Sequence, residues 1–529
     1  MKKTLYILML GATVFSSACT KEDFEEAYPN PARLNEPTIP KQFSGIIYTN
    51  RQYVVPNYWD YFVILRTTLR RWTQANGWIN EPNQYVPGAA SITDRWNNYY
   101  ATLTQFKDFE KFYKSRTPEE QADFKIFYLA AKVYIYDHTQ KVIDLHGDIP
   151  WTQAGLLSTN NGDYTKSYPA YDKATDLYTM MLDDLKSIAD ELPTMTINSG
   201  VLSSFKTQDL VNRGDVMMWR RYVNSLRFRM LTRVSAVAAF TSRANSERAA
   251  ILADPAKYPL IDANSQNVQI NVQDVSNNDM INANTWQQGL EDWNGNLAGK
   301  VMIDHMNTNA DPRIRALFEP GANAGGVYKG IDPMALASAQ EAEVLGQQIA
   351  FYNRSTLSRN DYHPGRLINA AEVSFLKAEY YLNSNNLASA KTSYQTGIQQ
   401  SIEMHFQVRS LSNDNTAPAL TPLDAAEVTA YLAKPAIAWD NATTNAARLS
   451  LIANQKWLHY SVVQMNESWA EMRRLDLPAL SFQADASNQQ NLPPKRWLYP
   501  SAEASFNTAN YEAVKGNDNL NTKIFWDVN

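Results

Sequence analysis

The sequence contains only one cysteine and six histidines among its 529 residues. A single cysteine excludes intrachain disulfides and cysteine-based metal sites. Basic and acidic side chains nearly balance, 49 against 54, and the net charge of −5 leaves no overall excess of positive charge for binding nucleic acid. We therefore expect no nucleic-acid partner.

Motifs for catalysis and metal binding are also missing. The sequence has no H-E-x-x-H zinc motif, no G-x-S-x-G nucleophile motif, no complete phosphate-binding loop and no EF-hand spacing. His138 and His146, two turns apart on one predicted helix, are interpreted as ordinary helix residues. We predict no catalytic residue, no metal site and no cofactor. Calcium held by polar loops stays open, as does a glycosidase that uses two of the many carboxylates.

The N-terminus has the pattern of a lipoprotein signal. Lys2 and Lys3 precede a short apolar stretch, small residues follow, and the only cysteine, Cys19, stands where they end. We predict a signal peptide over residues 1–18 and a lipid on Cys19, which resembles the lipobox cysteine of bacterial lipoproteins; an ordinary signal with an incidental cysteine is the alternative. No later run of 18 apolar residues occurs, so membrane contact is expected through the lipid alone.

The residues after the cysteine predict a tether. A lysine followed by acidic residues, over residues 20–26, resembles the surface-export signal of Bacteroidetes lipoproteins. Prolines 29, 31, 37 and 40 then favour an extended chain. We expect a lipidated tether over residues 19–45 and one domain over residues 46–529, placed at the cell surface on the outer membrane.

Helical patterns dominate the body, so the predicted fold class is all-α. A capping box at Thr117 and Glu120 begins an amphipathic helix that Gly147 ends. Further helices are predicted over residues 171–192, 215–240, 371–382, 387–405 and 447–475. Alternating strand patterns are scarce, and the best of them covers residues 268–272.

Two pairs of predicted helices have the spacing of tetratricopeptide units. In the second pair, small and aromatic residues recur at positions that let two antiparallel helices touch: Ala378, Tyr381, Ala390, Tyr394 and Gly397. The spacing predicts a tetratricopeptide-like scaffold with helix pairs over about 120–240 and 370–475. Residues 241–370 between them are rich in Asn, Gly, Asp and Pro, and are expected to form a long loop-rich insertion.

An ordered series of short motifs resembles the SusD/RagB outer-membrane lipoproteins, and most of all their second SusD-like branch. The series comprises Leu145-His146-Gly147-Asp148-Ile149-Pro150-Trp151, Trp219 to Arg229, Asp311-Pro312-Arg313, Glu372 to Glu379, Ile452 to Trp457, Trp469 to Arg474, and Pro494 to Glu503. Departures are small: Trp497 stands where a leucine is common and Phe525 where a tryptophan is common. The resemblance covers essentially the whole chain.

The resemblance implies a nutrient-binding protein without chemistry of its own. It implies capture of a glycan at the cell surface and a partner, a SusC-type TonB-dependent barrel, on which the protein sits as a lid. Some members serve peptide import, so an oligopeptide ligand stays open. A surface glycan hydrolase is the alternative from another class. Arg227, Arg229, Arg473 and Arg474, with Trp219, Trp457 and Trp469, are expected to be scaffold residues.

Several aromatic residues lie in polar segments of the sequence, where they could contact a sugar. A sugar ring presents an apolar face of C–H groups inside a fringe of hydroxyls, which suits an exposed aromatic ring flanked by polar side chains. Aromatic residues within polar, turn-rich segments are therefore the candidates: Trp72, Trp78, Tyr85, Trp286 and Trp293. The competing interpretation is that each of them fixes its own loop to the body.

Overall fold

The computed structural model describes residues 37–277 and 280–529, and most of them are helical. The first helices are α1 (Ile39–Thr49), α2 (Leu69–Trp72), α3 (Ala89–Lys114), α4 (Pro118–Asp123), α5 (Lys125–His146), α6 (Ala174–Glu191), α7 (Ser199–Gln208), α8 (Val216–Arg233), α9 (Ala238–Ala253) and α10 (Trp286–Glu291). They are followed by α11 (Lys300–Asn309), α12 (Ile314–Leu317), α13 (Ala337–Leu345), α14 (Ala370–Asn383), α15 (Leu387–Ser410), α16 (Ala425–Leu432), α17 (Asn445–Tyr460), α18 (Met465–Leu475), α19 (Ser501–Phe506) and α20 (Thr508–Tyr511). A π-helical turn, Trp59–Leu65, precedes α2.

Strands are few and short, which confirms the all-α prediction. They are β1 (Val268–Ile270), β2 (Phe318–Glu319), β3 (Phe351–Tyr352) and β4 (Gly365–Ile368). β1 pairs with β4 and β2 with β3, both antiparallel. All four strands and the short helices α10 to α13 lie within the insertion predicted over residues 241–370.

The predicted tether ends too late in the sequence. Its last residues form helix α1, where the Thr38 side chain caps the first turn and Pro40 occupies it. Proline suits the first helical turn because its missing N–H has no helical partner there. Phe43 is fully buried against Phe127 and Phe205, so α1 is part of the core. The predicted signal peptide, Cys19 and the export tract lie outside the described residues.

Most predicted helices are present, with different ends. The capping box between Thr117 and Glu120 forms, but Phe124 breaks the expected helix into α4 and α5. The helix predicted over 447–475 is interrupted between α17 and α18, at Ser461 with its φ of 39°. Helix α3, 26 residues long, has no counterpart among the predicted helices. The polar, turn-rich segment before it concealed where the helix begins.

The hairpin of α14 and α15 forms as the spacing predicts. Ala378 and Ala390 are fully buried between the two helices. A Cβ atom on Gly397 would lie 2.6 Å from the ring of Phe375, so the helices cross where only glycine fits. The turn ends at Asn386, whose side chain accepts a hydrogen bond from the backbone of Ser389 and caps α15.

A network of buried ion pairs joins the helix pairs. Arg229 on α8 contacts Glu372 on α14 at 2.5 Å and Asp137 on α5 at 3.0 Å. Further along, Glu379 on α14 receives both Lys456 at 2.8 Å and Arg474 at 2.7 Å, from α17 and α18. The scaffold role predicted for the arginines and tryptophans in these helices is confirmed by their burial.

Candidate functional site

Four of the five predicted ligand-binding aromatics are buried, so they cannot offer a ring face to a ligand. The exposed fraction is 1% for Trp72, 7% for Trp78, 0% for Tyr85 and 0% for Trp286. Their burial contradicts the prediction that these four residues are ligand contacts. The competing interpretation, that each side chain fixes its own loop to the body, holds for all of them.

Each of the four has a defined partner in the interior. Trp286 packs edge-on against Tyr61, with ring centres 5.1 Å apart, and Trp72 packs against Trp469 at the same distance. The indole N–H of Trp78 donates a hydrogen bond to Gln84 at 2.9 Å. The Tyr85 hydroxyl donates to the carbonyl oxygen of Gln483 at 2.8 Å. Polar neighbours in sequence therefore did not signal exposure here: one of them, Gln84, is the hydrogen-bond partner of the buried indole of Trp78.

Trp293 is the exception, with 78% of its surface exposed. Its backbone is left-handed, with φ 56° and ψ 39°, and Asn294 beside it also has a φ of 56°. A bulky residue rarely takes this conformation, and such strain is found mainly where function requires it. The two left-handed residues turn the chain sharply and hold the indole outward.

The loop under Trp293 is fixed by a small hydrogen-bond network. The amide of Asn76 donates to the carbonyl oxygen of Gly295 at 2.7 Å, and Arg70 donates to the side-chain oxygen of Asn76 at 2.8 Å. A Cβ atom on Gly295 would lie 2.8 Å from the carbonyl oxygen of Leu290, so only glycine fits at this position. The position of Trp293 is therefore set by the residues beneath it.

The π-helical turn completes an aromatic platform, which we define as Tyr58, Phe62 and Trp293. The rings of Tyr58 and Phe62 stack with centres 5.1 Å apart, and Phe62 meets the edge of Trp293 at 5.9 Å. The guanidinium of Arg66 lies 4.4 Å from the centre of the Phe62 ring and 5.0 Å from that of Trp293. The platform thus combines apolar ring faces with a cation, an arrangement that suits a ligand with both C–H and polar groups.

Sequence reasoning missed Tyr58, Phe62 and Arg66. All three are half-buried and follow one another at intervals of four residues, so they lie on one side of the turn. A signal was present in the aromatic sequence Tyr58-Trp59 followed by Tyr61-Phe62, within a segment where no helix was predicted. The contact with Trp293, more than 220 residues further along the chain, leaves no local pattern.

A cleft of about 250 Å³ opens beside Trp293, and we call it the arginine cleft. It is lined by residues of the π-helical turn, of α2 and of two loops: Arg66, Arg70, Arg71, Asn76, Gly77, Trp78, Ile79, Glu81, Trp293, Asn294, Gly295 and Leu297. Glu81 pairs with Arg71 at 2.5 Å. Burial is the main cause that lowers the pKa of Arg70 to about 9; Tyr61 and Tyr352 oppose this shift, and the positive charges of Arg66 and Arg71 add to it.

A second cleft, of about 390 Å³, lies on the other side of the same loop and shares Asn294 and Leu297 with the first. Its arginines are paired with carboxylates. Arg359 contacts Glu291 through two hydrogen bonds, at 2.9 and 2.8 Å. Arg354 contacts Glu319 in the same way, at 3.1 and 2.7 Å. Trp293 and Asn294 therefore stand on a ridge between two clefts.

A third cavity, of about 520 Å³, lies between α18 and the segment 476–495. Trp72 and Trp469 line it, but both are almost fully buried. Its other lining residues include three prolines and two leucines of the segment: Pro478, Leu480, Leu492, Pro493 and Pro494. Its third aromatic lining residue, Phe482, is half-buried, so this cavity has no largely exposed ring like that of Trp293 and is a weaker candidate for sugar binding than the ridge at Trp293.

The carboxylates that line the two clefts beside Trp293 are paired with arginines. Glu81 and Glu291 are each engaged by an arginine, which is the geometry of a structural ion pair. Over residues 37–277 and 280–529, no group of three or more His, Cys, Asp or Glu side chains is placed to hold a metal ion. The same part of the chain contains no helix that is both long and apolar enough to cross a membrane.

The fold is similar to those of several solved SusD-like proteins. A SusD-like protein from Bacteroidetes AC2a is 20% identical, with a TM-score of 0.73, and the match covers 93% of this chain and 100% of that one. A chitin-binding SusD homologue from Flavobacterium johnsoniae is 22% identical, with a TM-score of 0.71 and coverage of 93% and 99%. A SusD homologue from Bacteroides fragilis is 17% identical, with a TM-score of 0.70 and coverage of 93% and 100%.

Sequence comparison agrees with the fold. No curated protein sequence matches the chain. The profile of the SusD-like_2 family, described as starch-binding and associating with the outer membrane, matches residues 53–500. That range holds the scaffold helices α3 to α18 and the platform, and it is most of the chain. The protein therefore belongs to the SusD-like_2 family.

Proposed function

We propose that this protein captures glycans at the cell surface as a lipoprotein of the outer membrane and delivers them to a TonB-dependent barrel. The single observation that carries the glycan assignment is the exposed ring of Trp293, held outward on a strained backbone. The family description and the chitin-binding neighbour support the same class of ligand.

The geometry of the platform explains how a sugar would bind. One sugar ring lies on the indole of Trp293, where C–H groups meet the aromatic face. Its hydroxyl fringe then faces Asn294, which is exposed beside the indole, and the guanidinium of Arg66. A longer chain continues from the ridge into one or both clefts, which share Asn294 and Leu297. Binding of this kind needs no catalytic group.

Delivery to a barrel follows from the family resemblance and the predicted lipid on Cys19. A lipid anchor holds the body at the membrane surface without a membrane-spanning helix. A SusC-type barrel in the same membrane is then the partner to which the captured glycan passes. Copurification of a barrel with the tagged full-length chain from outer membranes would test this part of the proposal.

The glycan assignment is tested by calorimetric titration of the purified full-length chain with malto-oligosaccharides, chitin oligosaccharides and a peptide mixture. We expect saturable binding of an oligosaccharide, recovery of the ligand intact, and at least a tenfold loss of affinity in Trp293→Ala, because stacking on one aromatic ring contributes on the order of 1–3 kcal/mol. Binding of peptides alone would replace the glycan with an oligopeptide ligand. Cleaved ligand would favour the hydrolase.

Tyr164→Ala is the matched control. Tyr164 is exposed at 68%, close to Trp293 in this respect. In the loop of Tyr164, the carbonyl oxygen of Ser158 accepts a hydrogen bond from Lys111, near the end of α3. At the start of α3, the hydroxyl of Ser91 donates a hydrogen bond to the carbonyl oxygen of Val63, in the π-helical turn. The helix rises about 1.5 Å per residue, which separates these two contacts by roughly 30 Å. Equal losses in Tyr164→Ala and Trp293→Ala would contradict a site at the platform.

A further inference from the structure

The arginine cleft gathers positive charge in a chain that is acidic overall. Arg66, Arg70 and Arg71 line it together, and Glu81 is the carboxylate that lines it with them. The whole chain carries a net charge of −5. Each of the three arginines lies within the electrostatic range of the others, since Arg71 acts on Arg66 and both act on Arg70. Like charges held this close repel one another, so the cluster needs a compensating group.

Arg70 is buried without a carboxylate. Its side chain is 1% exposed, and its hydrogen bonds go to neutral oxygens of Asn76, Tyr61 and Gly289. The remaining nitrogen, Nη2, is buried and has no hydrogen-bond partner among the described residues. Burying an unpaired charge is costly, and buried arginines are normally paired. Its charge therefore adds to the positive potential of the cleft.

Arg66 stands at the surface side of the cleft, on the aromatic platform. It lies over the rings of Phe62 and Trp293, and its Nε is buried there without a hydrogen-bond partner. Within the described chain, no carboxylate oxygen lies at ion-pair distance from it either. A guanidinium held on two rings keeps its terminal N–H groups directed away from the ring faces, and these are the groups that can donate to a ligand.

The second cleft provides an internal comparison. Arg354 and Arg359 line it, and each is held by two hydrogen bonds to its own carboxylate, Glu319 or Glu291. Those charges are neutralised within the protein. In the arginine cleft the one lining carboxylate, Glu81, forms an ion pair with one of the three arginines and also acts on Arg66, and its side chain is 54% exposed. The excess positive charge is therefore confined to one side of the Trp293 ridge.

We infer that the arginine cleft is a subsite for the anionic group of an acidic glycan, either the carboxylate of a uronic acid or a sulfate ester. This inference rests on the proposed function and adds a substrate class to it. A sugar ring stacks on Trp293, and its anionic oxygens accept hydrogen bonds from Arg66 and from Arg71. Arg71 gives up its ion pair with Glu81 and forms one with the ligand instead. Arg70 stabilises the anion from beneath. Charge-assisted hydrogen bonds to an arginine are about twice as strong as neutral ones, so the anion contributes both affinity and specificity.

The test uses pairs of oligosaccharides that differ in charge alone. One pair is oligogalacturonate and its methyl ester, and the other is a carrageenan oligosaccharide and its desulfated form. Each is titrated calorimetrically into the purified full-length chain. We expect the acidic member of at least one pair to bind tenfold or more tightly, and to weaken as ionic strength rises from about 0.05 to about 0.5 M, where screening is strong. The pair that shows the preference distinguishes a carboxylate from a sulfate.

Three variants locate the effect. Arg66→Gln is expected to weaken binding of the acidic member at least tenfold and that of the neutral member, which loses only a neutral hydroxyl contact, much less, so that most of the preference disappears. Glu81→Gln is expected to strengthen binding of the acidic member severalfold, because it removes the internal competitor for Arg71. Lys206→Gln removes an exposed cation on α7, outside the cleft, and is expected to leave both affinities unchanged. Thermal melting of each variant confirms that it is folded.

The remaining outcomes overturn the inference in distinguishable ways. Equal binding of charged and neutral members, both lost in Trp293→Ala, removes the anionic subsite and leaves the glycan-binding role standing. A preference that survives Arg66→Gln and is unchanged by Glu81→Gln places the anion outside the arginine cleft. Absence of binding for all four oligosaccharides, together with none for neutral malto- and chitin oligosaccharides, overturns the proposed function and the subsite with it.

Discussion

The Nε atom of Arg229 lies 2.5 Å from a carboxylate oxygen of Glu372, and this buried pair joins helix α8 to helix α14. Replacement of Arg229 by methionine would leave the buried Glu372 without its cationic partner, whereas Asp137 would keep its ion pair with Lys141. Breaking a buried pair in this way typically costs about 3–5 kcal/mol, and we expect the free energy of unfolding in urea to fall by that amount. A loss below about 1 kcal/mol would show that the pair is dispensable.

An exposed pair provides the control for that measurement. Lys300 and Asp304 lie 2.5 Å apart on α11, and both side chains are about half exposed. Lys300→Met should change the free energy of unfolding by less than about 1 kcal/mol, because solvent screens the pair.

The stability of the protein should fall in acid partly through Glu379. Burial raises the pKa of this carboxyl, but Arg474 and Lys456 outweigh burial and lower it to about 2. A carboxyl with a lowered pKa contributes stability above its unfolded value of 4.5, and that stability is lost as the pH falls from about 4.5 to about 2. Urea unfolding at several pH values should therefore show a shallower acid dependence in Glu379→Gln, by at most about 1.4 kcal/mol per pH unit. Glu341→Gln, at an exposed position of α13, controls for the loss of one carboxylate.

The crossing of α14 and α15 depends on Gly397. A methyl group there would lie 2.6 Å from the buried ring of Phe375, which has no free space to move into. We expect Gly397→Ala to destabilise the protein by about 1–3 kcal/mol through overpacking. Gly45→Ala on α1 is the matched control, since its methyl group would meet no atom within 4 Å. There the better helix propensity of alanine should stabilise the protein by about 0.5–1 kcal/mol.

Two tryptophans seven residues apart should respond in opposite ways to truncation. Trp286 is fully buried, so Trp286→Ala should lower the free energy of unfolding by about 3–5 kcal/mol. Trp293 is largely exposed, so Trp293→Ala should change it by less than about 1 kcal/mol while ligand affinity falls. A strongly destabilised Trp293→Ala variant would mean that this side chain supports the fold instead.

Lipid attachment is predicted to depend on Cys19, which is the only cysteine of the chain. Cys19→Ser should abolish metabolic labelling with a palmitate analogue and move the protein from the membrane fraction to the soluble one. Thr20→Ser, at the next position, should leave both properties unchanged. Persistent labelling of Cys19→Ser would contradict the lipoprotein assignment.

The sequence predicts the scaffold well because its signals are local. The capping box at Thr117 and the small residues around Gly397 act within one helix or one hairpin, and both appear as expected. The platform is a different case. Trp286 and Trp293 share the same polar surroundings in the sequence, yet one packs against Tyr61 and the other has a left-handed backbone. Contacts between distant segments decide this, and no local pattern records them.

Because the backbone at Trp293 is already strained and fixed from below by Asn76, the platform is in place before any ligand arrives. Association then requires no ordering of a loop, and the loss of chain entropy on binding is small. We therefore expect capture to be limited by diffusion and orientation, with the free and bound conformations of the loop nearly identical. Differences in affinity between ligands should accordingly arise mainly from their dissociation rate constants.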